Sequence, residues 1–299
     1  MAWFKKKPTE LERLAGIADD VQLIAMRRFG ARGMPVTVLD GTSGLDAVLT
    51  TASGDQYPLH NLISRAIAGD LDDVPRLVTH HVDALVDAAA APNSDQLSDD
   101  DWLENVRVRL MPADAATAVG AGYARTFAGG LVEMLCLDYP THITYLSDAA
   151  LEGRDPVELA AAGRAAVIAD PVENSQEIDP GIWLVQGNSP YTATKALAFE
   201  HLAGSALPAA PHGIVFGVPH RHMIVAHAVD SVDSVVAISR LAQFVVAQAT
   251  DSAPGGPLSS SIYFWYEGSV DVVGWVKDDG STTISGDGRF GEVLAGLAK

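Results

Sequence analysis

Three residues in the middle of an apolar stretch, His220, Arg221 and His222, carry the most chemical potential in the chain. On a strand, residues two apart share a face, so this H-x-H pattern is able to present two imidazoles to one zinc or iron ion. Such a site needs a further ligand. His212, His227, Glu200 and His201 are the candidates, and nothing in the sequence fixes them in space. Arg221, between the imidazoles, suits a carboxylate or phosphate. The three residues are therefore read as a partner- or ligand-contact site in an exposed turn, with no metal centre and no catalytic residue assigned.

Other patterns weaken when their context is checked. Gly286-Asp287-Gly288-Arg289-Phe290-Gly291 matches G-x-G-x-x-G. A dinucleotide fold needs a full strand–helix–strand unit and an acidic residue about twenty positions on, and too little chain follows. Asp99-Asp100-Asp101 and Asp278-Asp279 do not fit a calcium loop and read as a helix start and a turn. No H-E-x-x-H, G-x-S-x-G or P-loop occurs, Thr192-Ala193-Thr194-Lys195 is not a serine–lysine motif, and no cofactor is implied. Cys136, the only cysteine, lies between Leu135 and Leu137, so a buried, slow-reacting thiol is expected and no internal disulfide can form. Trp183, Trp265 and Trp275 fall in strands and read as core or interface residues.

The elements that position these residues follow from periodicity. Ile214–Val218 and Met223–His227 are apolar runs around a Pro-containing insert, hence a hairpin, and a helix follows from Ser231 with Val235, Ile238, Leu241, Ala242 and Val245 on its apolar face. Similar hairpins are expected near 36–50, 131–146 and 262–276, with a short strand at Thr282–Ile284 and a small helix closing the chain. Thr9 and Glu12 have capping-box spacing before a helix to about Phe29, ended by Gly30 and Gly33. Helices are expected over 59–68 and 74–90, the latter with His81 beside its apolar face, and Ser98 caps a short one. Val106–Leu110 and Ile182–Val185 read as strands, Asp155-Pro156 opens a helix, and Asp170–Pro180 reads as a linker. Ser189-Pro190 is expected to start a helix that Gly204 ends. The pattern is α+β: antiparallel hairpins each followed by helices, a weakly repeated unit. Two regions are expected, 1–104 with helices around a hairpin and 105–299 as an α+β domain with an extension after 277.

Leu135–Leu146 (LCLDYPTHITYL), Ile182–Leu197 (IWLVQGNSPYTATKAL), Ile214–Val225 (IVFGVPHRHMIV) and Ile262–Gly268 (IYFWYEG) carry a resemblance. In these segments the chain resembles the YtpQ-like family of uncharacterised bacterial proteins, a domain of unknown function, over about residues 105–277. The landmarks are Val218-Pro219-His220 and Tyr266-Glu267. The family supplies no catalytic residues.

Composition bounds the function. With 48% hydrophobic and 19% charged residues, 299 residues suffice for a buried core. The net charge of −18 argues against nucleic acid and anionic membrane surfaces, aids solubility, and suits a basic protein partner. No apolar run approaches the roughly 18 residues of a membrane span, and the basic start Met1–Pro8 lacks a secretory apolar region, so a cytoplasmic setting is expected. Two function classes stand: a non-catalytic protein-interaction module, immunity-like or chaperone-like, or an unrecognised enzyme or metal-binding protein with its site at the Pro219–His222 turn.

Overall fold

The computed structural model describes residues 9–90, 97–139, 142–250, 253, 255–277 and 281–299. The basic start, the Asp278-Asp279-Gly280 turn and the Pro140-Thr141 tip lie outside them. The chain divides into two compact units, Met1–Asn93 with Tyr139–His142, and Ser94–Asp138 with Ile143–Lys299.

In the first unit, α1 (Glu10–Ala31) starts at the Thr9/Glu12 capping box and buries Ile17, Val21, Ala25 and Phe29 at helical spacing. Gly30 lies inside this helix, and Gly33 takes the left-handed turn after it. β1 (Val36–Val38), β2 (Val48–Thr51) and β3 (Gln56–Pro58) form an antiparallel meander, with Gly44–Asp46 a single 3-10 turn instead of the start of a strand. α2 (His60–Ala68) and α3 (Val74–Ala90) complete the core, α3 through Val74, Val78, Val82 and Val86. Arg28 and Arg32 clamp α1 to α3 through Asp83 and Asp87. His81 is half-buried beside the apolar face of α3, and that burial lowers its pKa.

The second unit opens with α4 (Asp99–Asn105), capped by a Ser98/Asp101 box that uses the third of the three aspartates. β4 (Val106–Pro112) pairs along its whole length with β6 (Leu131–Asp138). Between them lie α5 (Ala113–Val119) and β5 (Arg125–Ala128), neither of them expected from the sequence. β5 and β7 (Ile143–Tyr145) share the other edge of β6. α6 (Pro156–Ala169), capped by Asp155, packs on β4 so closely that a Cβ on Gly163 would lie 2.8 Å from the Arg107 carbonyl carbon.

A seven-stranded antiparallel sheet follows, built from β8 (Asn174–Asp179), β9 (Ile182–Gln186), β10 (Ile214–Gly217), β11 (Met223–Ala228), β12 (Ile262–Tyr266), β13 (Ser269–Val276) and β14 (Thr282–Ile284). Its order is β14-β13-β12-β10-β11-β9-β8. One face packs Val215, Val225 and Phe264 under α8 (Ser234–Gln248) and α9 (Gly288–Leu297), while Phe216, Ile224 and Tyr263 face the other way, against Leu110 and Leu131. The α+β class is thus present. The four hairpins are distributed over three sheets.

Four further expectations are corrected. Asp170–Pro180 is no linker, because β8 pairs with β9 at the sheet edge. The segment after Ser189 is not one α-helix: Ala193–Ala198 is 3-10, and only α7 (Phe199–Leu202) is α-helical. Its residues are buried nearly all round, so packing against both sheets overrides the helical signal. Val235 is 47% exposed at the start of α8, and Trp275, read as a core or interface residue, is 43% exposed and so not in the core, whereas Trp183 and Trp265 pack on it. Among the described residues no helix is long and apolar enough to cross a membrane.

Candidate functional site

The polar centre of the second unit starts from strand periodicity. In β4, Arg107, Arg109 and Met111 point to one face and Val106, Val108 and Leu110 to the other. The register sets Arg107 opposite Cys136, Arg109 opposite Met134, and Cys136 opposite Tyr145. Directly paired residues share a face, so Arg107, Arg109, Cys136, Asp138 and Tyr145 line one side of this sheet. Tyr191 reaches the same place from the Ser189–Thr192 turn. Its hydroxyl is 3.7 Å from Cys136 Sγ, and it favours the charged form of the Asp138 carboxyl.

Arg109 is the residue this arrangement leaves unbalanced. It is 4% exposed. Nη1 donates to the Tyr145 hydroxyl, and the guanidinium lies 5.4 Å from the Tyr145 ring centroid and 5.9 Å from that of Tyr191. Its Nε is buried without an acceptor. Among the described residues no carboxylate stands within ion-pair distance of it. Asp138 is on the same face, but burial pushes its carboxyl above the usual range, which weakens it as a counter-ion.

The Pro219–His222 turn packs on the Gly187–Ala193 segment that carries Tyr191. It is not the exposed loop the sequence suggests, for His220 is only 7% exposed and Pro219 is buried. The connectors on either side cover it. Leu258 N–H donates to the Pro219 carbonyl (2.8 Å), Ala193 N–H to that of Arg221 (3.0 Å), and Gly187 N–H to that of His222 (3.3 Å). Gly255 abuts the Arg221 guanidinium, where a Cβ would come within 2.4 Å of Cζ. Within the turn, Arg221 Nε donates to His222 Nε2 (2.9 Å). The His222 proton therefore sits on Nδ1, which donates to the Ser189 carbonyl at 3.1 Å. His222 N–H donates to His220 Nδ1 at 3.3 Å.

Electrostatics keep both imidazoles neutral. Burial, then His222 and Arg221, push His220 down to about 4. His222 is lowered by burial and Arg221, with a smaller contribution from Arg109. Burial pushes the Cys136 thiol up to about 12 and raises Tyr145 and Tyr191 as well. A nucleophilic thiolate is thus disfavoured, and the Cys136 thiol and the Tyr145 and Tyr191 hydroxyls stay protonated beside the cationic groups.

The chemistry suits an anion and resists a cation. The His220 and His222 rings are 6.3 Å apart and tilted by 56°, and both nitrogens of His222 are already engaged beside an arginine. His227 bonds Gly181, and Glu200 lies beside His201. Among the described residues no three His, Cys, Asp or Glu side chains gather as a metal site. Gly288, in the G-x-G-x-x-G stretch, opens α9 with positive φ, and Gly291 presses on the Gly286 carbonyl, so those glycines serve a tight turn. Lys195 is buried and donates to the Val167 and Asp170 carbonyls, both at 2.6 Å, closing the C-terminus of α6.

Of the three residues singled out in the sequence, Arg221 and His222 act electrostatically on this centre, while His220 is buried beside them within the turn. Arg109, Tyr145 and Tyr191 were missed. Arg-x-Arg in an apolar strand reads as a solvent-facing side, and only the register with β6 reveals that this side is covered. No protein-family model, curated protein or solved structure matches the chain.

Proposed function

We propose that the chain is a non-catalytic binding module whose second unit takes up a small oxyanion, a carboxylate or phosphoryl group, at Arg109, with Tyr145, Arg221 and His222 around it. The observation that carries this reading is the buried guanidinium of Arg109, which has an orphan Nε and no carboxylate partner. An unpaired buried charge is costly, and an anionic ligand supplies both the missing charge and the missing acceptor. Arginine presents two parallel donors to such groups. The neutral His222 is able to take a proton when an anion arrives, because the added negative charge opposes what lowers its pKa. The resemblance to the YtpQ-like family and a cytoplasmic setting belong to the same proposal.

A thermal-shift panel of phosphate, sulfate, acetate and malonate tests it. At least one oxyanion is expected to raise the Tm of the wild type and to lose that effect in Arg109→Met. A panel with no shift, or a shift that Arg109→Met retains, contradicts the reading.

A further inference from the structure

Away from the Arg109 centre, a concavity of about 580 Å3 opens in the second unit. Phe127 of β5 and Trp265 of β12, both half-buried, supply aromatic lining. Glu133, Arg164, Glu200 and Glu267 supply its charges. Arg164 is ion-paired with Glu133 and neutralises it. Glu200 is over half exposed, with His201 3.6 Å away as its weak neighbour. Glu267 has no ion-pair partner among the described residues. The cavity therefore holds two carboxylates beyond those its single arginine balances, next to two ring systems.

That combination selects a particular ligand chemistry. Net negative charge repels an anion. A bare metal ion wants several oxygen or nitrogen donors, and no such group gathers among the described residues. An organic cation gains from both features, since carboxylates meet its charge while aromatic faces attract ammonium groups and cover an apolar body. The volume is within the range of small-molecule sites, about 300–1,000 Å3. We infer that this cavity binds a small aliphatic amine or diamine, its chain against Trp265 and Phe127 and its ammonium toward Glu200 and Glu267. The inference is independent of the oxyanion reading and survives its failure.

The Glu267 loop supplies a clean test. Tyr266 pairs with Ser269, so Glu267 and Gly268 form a two-residue hairpin loop with φ of +47° and +78°. Such loops favour Asn-Gly, because a glutamate tolerates positive φ poorly. Glu267→Asn thus removes the carboxylate while suiting the backbone better. The full chain is titrated calorimetrically at low salt with diaminobutane, butylamine and butanol. Diaminobutane is expected to bind more tightly than butylamine, and butanol not at all. Glu267→Asn and Glu200→Gln should each weaken the diamine about 3- to 10-fold, and the pair should abolish binding, with the Tm of Glu267→Asn unchanged or higher. No amine binding at millimolar concentration, equal binding by butanol, or undiminished affinity in the double variant overturns the inference. So does binding of a lysine-rich peptide without binding of free amines, which would make the cavity a protein-docking groove.

Discussion

At Arg109 two accounts of one buried charge diverge. If the guanidinium were a structural clamp, its removal would cost about 3–5 kcal/mol, as breaking a buried pair does. As an unsatisfied ligand site, it destabilises the empty protein. Arg109→Met is therefore expected to leave the ligand-free Tm unchanged or raise it, measured by calorimetry in an anion-poor buffer. His220 gives a pH signature. Its folded pKa, about 4, lies below the 6.5 of a free histidine, so the unfolded chain binds more protons between these values. Its contribution is full above pH 6.5 and is lost as pH falls toward 4, on the order of 2 kcal/mol. Denaturation of wild type and His220→Gln at pH 7 and pH 4.5 should show a smaller acid loss in the variant; equal losses would remove His220 as the cause. Cys136, fully buried with its pKa raised, is expected to label slowly with a thiol reagent in native protein and rapidly in denaturant.

Among the elements, those with one apolar period were legible in the sequence. α1 and α3 announced themselves because each buries one face against a single core, and β10, β11 and β12 because both of their faces are buried. β8 did not, since Asn174–Asp179 is an edge strand with mostly exposed residues and reads as a polar linker. The 3-10 segment misled in the opposite way: Ser189-Pro190 is a good helix start, yet Thr194 accepts a hydrogen bond from Leu110 N–H and Lys195 closes α6, and these tertiary ties set the backbone. The site was half visible for the same reason. His220, Arg221 and His222 stand out as polar residues between apolar strands, but their cover comes from segments around 187–193 and 255–258 that no local pattern brings to them. Helix packing offers a paired test. Gly163→Ala places a methyl against the backbone of β4 and should lower stability by about 1–3 kcal/mol despite better helix propensity. Gly16→Ala in α1 meets nothing within 4 Å and should stabilise by about 0.5–1 kcal/mol. The same sign for both would contradict the close α6–β4 approach.

For the whole molecule, the net charge of −18 and the buried cationic centre act at different ranges. Surface acidity attracts cations over distances that salt screens, so amine binding should weaken as ionic strength rises. The oxyanion site depends on a guanidinium removed from solvent, where screening is weak, and on a centre assembled from β4, β6, β7 and two covered turns. The central claim is that the Arg109 Nε–H lacks an acceptor until an oxyanion arrives. NMR of the assigned arginine Nε–H signals during titration with the best anion from the thermal-shift panel tests it most directly. A saturable downfield shift of the Arg109 signal, at the concentration that raises the Tm, is the expected result. An Arg109 signal that stays fixed while the Tm rises would place the anion elsewhere and contradict the account.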